Sequence, residues 1–352
     1  MNRLIIILFL ILISLIKTRS QSDGAGSLFD SDSILNLKLS GKVISLLNDR
    51  DDNARYHSIT LTIPDSNKVQ DLPIKARTRG NFRRKLGGCT FPPLMLNFSE
   101  TDPETSTSVF KNQDKLKLVV PCKSDRYVVR EYLVYKLYSL LTPLSFKARL
   151  VKVSFYDSLK EKSFAPVFGI ILEEEHKMAA RNNSLIIEGK LVQPEQTQQL
   201  DFLRTAVFEY LIGNTDWSVQ YQQNIKLLAA DKSGKPVTVP YDFDQSGIVN
   251  ANYAMPAPEL QLSSVRERRY RGYCVNDVSV FNEVFTEFNQ LKDAVYKLYS
   301  ESLLLEESYK KSTLKFLESF YETIRNEKST KKVFTYPCRK DATTNVIIKG
   351  LN

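Results

Sequence analysis

The feature that most restricts the fold of this 352-residue chain is a change of hydrophobic period along its length. From residue 34 to about 122, apolar and polar residues alternate in short segments between turn signals, a pattern typical of β-strands. A helical segment follows at 126–141 and ends before Pro143, and two more strand-like segments come next. From about residue 197 the spacing becomes helical, and 278–328 is predicted to form two long amphipathic helices. The pattern predicts an α+β fold.

The first residues predict export. Arg3 precedes an apolar run, Leu4–Ile16, which is shorter than the roughly 20 residues that a membrane-spanning helix needs. We predict a signal peptide over 1–20, with an uncleaved membrane anchor as the alternative. The mature protein is then expected in the periplasm, outside the cell or on its surface.

The rest of the chain is rich enough in apolar residues to fold. Hydrophobic residues make up 42% of the sequence, with 19 Phe and 17 Tyr, which excludes general disorder. We predict a flexible leader over 21–33, a strand-rich N-terminal lobe with one helix over 34–176, and a helix-rich C-terminal lobe over 177–352.

Four cysteines, Cys89, Cys122, Cys274 and Cys338, are present in this predicted export context. None forms a CxxC pair, so disulfides are favoured over a metal site. Three pairings are possible. We favour Cys89 with Cys122 and Cys274 with Cys338, because each pair brackets one contiguous region.

A formal net charge of +9 is concentrated in two segments, KARTRGNFRRK (75–85) and VRERRYRG (265–272). No recognised nucleic-acid-binding signature accompanies them, so nucleic acid is not an expected partner. Arginine-rich segments also fit a phosphate or acidic-ligand pocket, because guanidinium groups bind phosphate oxygens in pairs. A polyanion-binding surface remains an alternative function, and for any single arginine a solvated surface position remains the simplest interpretation.

Histidine chemistry is not indicated. His57 and His176 are the two histidines, they lie far apart, and neither has metal-ligand spacing. No G-x-S-x-G segment is present, which argues against a serine hydrolase. The same spacing argues against a zinc site.

The segment VPYDFDQSG (239–247) places two carboxylates one residue apart after a short apolar strand. If the strand alternates, Asp242 and Asp244 share one face and Phe243 points into the core. A shared face indicates a shared cation.

Other polar residues complete a chemical set. Asp216 and Asn224 lie in a loop after a helix, and Lys115 or Lys117 lies on a strand before one. Phosphoryl transfer needs a cation at the nucleotide phosphates, oxygen ligands for magnesium and a base that orients the acceptor hydroxyl. The order of these residues therefore favours phosphoryl transfer.

Five segments together resemble the spore-coat protein H (CotH) kinase-like family of exported atypical kinases. They are KARTRGNFRRK, KLKLVVPCKSDRYVVREYLVYKLYSLL, ARLVKVSFYD with FAPVFGIILEEE, LIGNTDWSVQYQQN and VPYDFDQSG, within roughly residues 70–250. The resemblance implies a bilobal protein-kinase-like fold, ATP as the nucleotide, and Mg²⁺ or Mn²⁺ as the metal.

The resemblance also implies roles for individual residues. Asp216 would be the catalytic base, and Asn224, Asp242 and Asp244 would bind the metal. Independently of the resemblance, Gly80 after two arginines can form a tight turn in which Arg79 covers the phosphates, and a hairpin turn with surface arginines is the alternative. The nucleotide-facing lysine would be Lys117, with Lys85 as the second candidate and Glu131 as the ionic partner.

Two departures from the family pattern are visible. The interval from Asp216 to Asn224 is longer than expected, and Trp217 stands where a basic residue often follows the aspartate. The leading hypothesis is an exported kinase that phosphorylates a hydroxyl of a secreted or surface protein, with membrane contact only through the signal segment. The departures keep open a catalytically inactive binding or scaffold protein of the cell envelope.

Overall fold

The computed structural model describes residues 27–64, 69–80, 82–85, 89–99, 102–189, 191–231 and 233–342. The predicted signal peptide lies outside the described residues. In the part of the chain that is described, no helix combines the length and the apolar character needed to cross a membrane.

The secondary structure alternates in the first half and is mainly helical in the second. The strands are β1 (Leu35–Gly41), β2 (His57–Ile63), β3 (Gln70–Thr78), β4 (Leu94–Asn97), β5 (Lys115–Val119), β6 (Ala148–Asp157), β7 (Lys162–Leu172), β8 (Leu185–Ile186), β9 (Ile225–Ala229) and β10 (Val237–Pro240). The α-helices are α1 (Val43–Asn48), α2 (Phe82–Lys85), α3 (Pro103–Thr107), α4 (Asp125–Leu141), α5 (Glu175–Arg181), α6 (Gln199–Ile212), α7 (Asn282–Gln290), α8 (Lys292–Ser300), α9 (Glu307–Arg325) and α10 (Glu327–Phe334). Short 3-10 helices occupy Pro194–Gln196, Pro258–Leu260, Val278–Phe281 and Tyr336–Cys338.

Strands β1 to β7 close into a barrel in the order β1-β2-β3-β4-β5-β7-β6. Neighbouring strands are antiparallel except β1 and β6, which pair in parallel from Leu35 opposite Val151 to Gly41 opposite Asp157. Alternate residues point inward, and Leu39, Leu61, Leu72, Leu96 and Leu118 are fully buried there. Closure satisfies the backbone groups that an open sheet would leave at its edges.

The predicted bilobal protein-kinase-like fold is therefore wrong. The strand-rich half is a closed seven-stranded barrel with helices attached, because β1 and β6 pair although they lie more than a hundred residues apart. Strand alternation shows which face of a strand is buried, but it does not specify which strand pairs with which.

Some helix boundaries also differ from the prediction. Within the strand-like region 34–122, the structure has the helices α1, α2 and α3. The region 278–328 forms α7, α8 and α9 rather than two long helices, and α10 begins at its end. The predicted helix over 126–141 matches α4 to within one residue.

Helix α4 packs between the barrel and the second half of the chain. The Tyr138 ring lies 4.5 Å from the Phe208 ring on α6, and the Tyr135 ring lies 4.8 Å from that of Phe243. A three-stranded sheet, β10-β9-β8, packs beside α6. One buried face of α4 therefore meets the loops that follow α6 and β10.

Residues 27–33, at the end of the predicted leader, pack against the barrel. Leu28 is buried, and the Arg149 guanidinium donates to its carbonyl at 3.1 Å and also to the carbonyl of Ser31. The barrel strands then run from Leu35 to Leu172. The predicted boundary at residue 176 falls within α5.

Two disulfides join Cys89 to Cys122 and Cys274 to Cys338, which confirms the favoured pairing. Disulfides persist in oxidising compartments, so both bonds are compatible with export. The first disulfide links the segment after α2 to the connection between β5 and α4. The second links the segment before α7 to the end of the described chain.

Replacing Cys89 and Cys122 together with serine is expected to lower the free energy of unfolding by about 2–4 kcal/mol, because the 33-residue loop is no longer closed in the unfolded chain. Denaturant unfolding of the two proteins without reductant would measure the difference, with Cys274–Cys338 intact in both. Equal midpoints and slopes would contradict this prediction.

Candidate functional site

The loop that carries Asp216 begins at the end of α6. Gly213 ends that helix with a left-handed φ of +68°, and a side chain there would press on the Phe316 ring at 3.0 Å. Glycine meets both demands without strain. The chain then turns, and the Asn214 side-chain oxygen accepts from the Asp216 backbone N–H at 3.0 Å.

A small hairpin brings Asn224 back to Asp216. Ser218 and Gln223 exchange two backbone hydrogen bonds of 2.9 Å, so the residues between Asp216 and Asn224 fold back on themselves. The Asn224 side-chain amide then donates to the Asp216 carbonyl at 2.8 Å and to its carboxylate at 3.1 Å. The long interval in the sequence is therefore absorbed by the hairpin, and the two predicted residues are in contact.

Asp242 and Asp244 lie just beyond the end of β10. Asp242 has a left-handed φ of +63°, and its backbone N–H donates to the Tyr135 hydroxyl at 2.9 Å. Phe243 is fully buried between the rings of Tyr135 and Phe208. The Asp242 carboxylate is about half exposed and the Asp244 carboxylate is buried.

Both carboxylates contact Arg83, a residue that the sequence-based site did not include. Arg83 Nε lies 3.3 Å from Asp244 Oδ2, and its Nη2 lies 3.5 Å from Asp242 Oδ1. The same Nη2 lies 3.9 Å from Glu131 Oε2 on α4. The cation shared by the two aspartates in this structure is therefore an arginine of α2.

Arg83 is positioned by its neighbours. After the RTRG turn, where Gly80 has a φ of +80°, the Arg84 guanidinium donates to the Gly80 carbonyl at 2.7 Å and to the Arg50 carbonyl at 2.6 Å. Arg84 also pairs with Asp52, as does Lys85 at 3.0 Å. Lys85, the second candidate for the nucleotide lysine, thus belongs to a separate, exposed ion pair.

The carboxylates outnumber the cations that contact them. Burial, then the charges of Asp242 and Asp244, raise the pKa of Asp216 to about 6. Burial also raises the pKa of Asp244, and it raises that of Glu131 well above the ordinary value, although Arg83 opposes both shifts. Burial alone would lower the pKa of Arg83, but the surrounding carboxylates raise it well above its ordinary value.

Lys117 pairs with a different acid from the one predicted. Its Nζ lies 3.6 Å from Glu175 Oε2, and Lys226 Nζ lies 2.9 Å from the same oxygen. Both ammonium groups lie over the Tyr241 ring. Glu131 is fully buried and faces Arg83 instead, so the predicted Lys117–Glu131 ion pair is not formed.

Arg79 faces the same region from the end of β3. Its backbone N–H donates to the Pro93 carbonyl at 2.9 Å. Burial lowers the pKa of its guanidinium, while the Asp242 carboxylate opposes this effect. Burial and Arg79 lower the pKa of Lys117. Arg79 and Lys117 therefore form a partly buried positive region beside the carboxylates.

The second basic cluster is turned inward. The Arg268 guanidinium stacks on the Phe316 ring at 3.6 Å and donates to the Leu211 carbonyl at 3.1 Å. Arg271 donates to the carbonyls of Thr215 and Trp217, on either side of Asp216. These arginines hold the α6 end and the Asp216 loop in place.

The carboxylate and amide side chains of this region fit a divalent cation by their chemistry. Among the described residues, Asp216 Oδ1 is buried without a hydrogen-bond partner, and the charges of Asp242 and Asp244 act on the same carboxylate. Buried oxygens of this kind are costly unless a cation or donor reaches them. Carboxylate and amide oxygens are the ligands that magnesium prefers.

A second acidic group has the compactness of a metal site but not its charge. The ligand atoms of Glu175, His176 and Glu188 lie within 4.8 Å of one another, and within the described ranges this is the one group of three acidic, histidine or cysteine side chains to do so. Lys117 and Lys226 lower the pKa of Glu175, against the effect of burial. The charge of the Glu175 carboxylate is thus already neutralised by two lysines, which leaves this group less suited to a metal ion.

Comparison with known proteins gives little independent information. No protein-family model and no curated protein matches the chain. Among solved structures, the chain is similar to the "Crystal structure of A Helicobacter pylori proinflammatory kinase CtkA", with 10% identity and a TM-score of 0.39. The match covers 74% of this chain and 95% of that one. A similarity of this size defines neither the fold nor the activity of the present chain.

Proposed function

We propose that this protein is a divalent-metal-dependent phosphotransferase, which transfers the terminal phosphoryl group of ATP to a hydroxyl of a secreted or surface protein. The observation that supports it most is the meeting of Asp216, Asn224, Asp242 and Asp244 in a region of excess negative charge. The motif series that resembles the spore-coat protein H (CotH) kinase-like family supports the same activity, and the disulfides are compatible with export.

In this proposal, Asn224, Asp242 and Asp244 hold Mg²⁺ or Mn²⁺. The bound metal would neutralise charge on the nucleotide phosphates. Phe243 fixes the spacing of the two aspartates because it is fully buried. Arg271 fixes the loop that carries Asp216 because it donates to the backbone carbonyls on either side of that residue. Neither of these two residues needs to contact the substrate.

Asp216 is the proposed base. A pKa of about 6 leaves it mostly ionised at neutral pH and still able to accept a proton with useful driving force. The Asn224 amide holds one carboxylate oxygen at 3.1 Å, while Oδ1 has no partner among the described residues. That second oxygen would orient the acceptor hydroxyl.

Lys117 and Arg79 would contact the phosphates. We expect Lys117→Ala to weaken ATP binding about tenfold or more, because a charge-assisted hydrogen bond is lost. The fold should persist, since Lys226 still pairs with Glu175 at 2.9 Å. Calorimetric titration with Mg-ATP measures the affinity.

Lys115→Ala is the matched control for Lys117→Ala. Lys115 lies two residues earlier on β5, and its side chain is 51% exposed, against 17% for Lys117. Its carboxylate contact is with the neighbouring Asp114 at 3.4 Å. Equal losses of affinity in the two variants would exclude a specific contact between Lys117 and the nucleotide.

The activity itself is tested with the purified mature protein, labelled ATP and Mg²⁺ or Mn²⁺. Transfer to the protein itself or to a generic protein acceptor, lost when EDTA is added, is the expected result. Metal-dependent ATP binding without transfer would favour the inactive scaffold. Absence of both binding and transfer would remove the proposed function.

A further inference from the structure

The position of Arg83 bears on how many metal ions the proposed site takes. Its guanidinium is buried and reaches both aspartates, with contacts of 3.3 Å to Asp244 and 3.5 Å to Asp242. Two-metal phosphoryl-transfer sites place two divalent ions about 3.5–4 Å apart on shared carboxylates. Here one face of the carboxylate pair is already covered by a cation that belongs to the chain.

The number of oxygen ligands available also favours one metal ion over two. Each magnesium ion needs six oxygen ligands in near-octahedral geometry, some of them from water. Asp242 and Asp244 both contact the guanidinium, and Glu131 is within 3.9 Å of it on the buried side. Asn224 contacts Asp216 at 3.1 Å, and the described contacts of Arg83 are with Glu131, Asp242 and Asp244. Of the proposed metal ligands, Asn224 is therefore the one that Arg83 does not contact among the described residues, so the set supplies ligands for one metal but not for two.

We propose that Arg83 takes the place of a second divalent ion, so that the site binds a single metal, held by the aspartate pair with Asn224. This inference rests on the proposed function. The guanidinium is charged at every pH at which the protein is folded, so this positive charge does not depend on the metal concentration. It also cannot diffuse away, because Arg84 fixes α2 to the Gly80 and Arg50 carbonyls.

The test is the number of Mn²⁺ ions bound per chain. Equilibrium dialysis of the full mature protein against MnCl₂, with a non-hydrolysable ATP analogue, counts the bound ions, and electron paramagnetic resonance detects whether two of them interact. We expect one Mn²⁺ for the wild type and two interacting ions for Arg83→Gln. Lys85→Gln removes the same charge two residues away and should bind one, because Lys85 pairs with exposed Asp52.

Other results would overturn the inference. Two ions in the wild type would show that Arg83 does not exclude the second metal. One ion in Arg83→Gln, bound more tightly than in the wild type, would show that Arg83 merely competes with the metal. Wild-type protein that binds no Mn²⁺ would instead defeat the proposed function.

Arg83→Lys covers the case in which Arg83→Gln does not fold. It retains the charge but loses the paired contact. We expect it to bind one ion, and two would overturn the inference.

Discussion

Asp216→Asn is expected to slow phosphoryl transfer at least a hundredfold and, at neutral pH, to make the protein more stable. A catalytic base contributes about 10²–10⁴-fold to the rate, so transfer should fall at least a hundredfold. The carboxylate is held in a buried, negatively charged region, which raises its pKa from 3.8 to about 6. That difference corresponds to at most about 3 kcal/mol of destabilisation when the group is ionised.

The pH dependence separates this electrostatic effect from general repacking. In the unfolded chain Asp216 loses its proton near pH 3.8, but in the folded protein it keeps the proton until about pH 6. Stability contributed by the protonated form is therefore complete below pH 3.8 and is lost as the pH rises through 6. The variant should match the wild type near pH 4 and exceed it above pH 6, in calorimetric unfolding with EDTA present.

Asp231→Asn is a control for which the expected change in stability at neutral pH has the opposite sign. The Asp231 carboxylate accepts hydrogen bonds from the Ser233 hydroxyl and backbone, which lower its pKa. Its stabilising effect is present above its unfolded pKa and lost at lower pH, so this variant should be less stable at neutral pH. An active Asp216→Asn protein, or one less stable than the wild type at pH 7, would contradict the role given to Asp216.

Local patterns were sufficient for elements whose partners are near in sequence or whose chemistry is distinctive. Helix α4 was predicted to within a residue because its apolar spacing and Pro143 define it. The disulfide pairing followed from contiguity. The burial of Phe243 followed from the alternation of VPYDFDQSG, although β10 itself ends at Pro240.

Closure of the barrel could not be read in the same way. It depends on the parallel pairing of β1 with β6, and the residues of both strands alternate as they would in an open sheet. Nothing in a period of two specifies a distant partner or the closing register. The kinase-like fold was inferred from a resemblance of motifs, and such motifs carry no information about strand pairing. The parallel pairing of β1 with β6 closes a barrel that this inference did not include.

Arg83 was missing from the site predicted from the sequence, because a local pattern does not show which distant groups a side chain contacts. Arg83 and Arg84 are adjacent in NFRRK, yet Arg83 faces buried carboxylates and Arg84 faces backbone carbonyls and Asp52. Adjacent arginines are equivalent in a sequence pattern. The available signal was indirect, because two buried acids on α4 and after β10 require a cation.

Because the buried carboxylates of Glu131 and Asp244 require a cation, Arg83→Met is expected to lose much of its stability. Methionine fills similar space but leaves Glu131 and Asp244 buried without their cation, which typically costs about 3–5 kcal/mol. The loss should shrink towards pH 4, because protonated carboxyl groups need no counter-ion. Calorimetric unfolding of the variant and the wild type across pH 4–8 measures it, with EDTA present.

Adding Mn²⁺ to Arg83→Met should restore part of the lost stability, because an ion that binds only the folded state raises its stability in proportion to the logarithm of ion concentration. Lys85→Met provides the control, since its exposed pair with Asp52 contributes at most about 1 kcal/mol. If Arg83→Met unfolded at the wild-type temperature in EDTA, the carboxylates would not depend on Arg83. The Asp216 and Arg83 variants thus test the same charge balance, and their expected changes in stability at neutral pH have opposite signs.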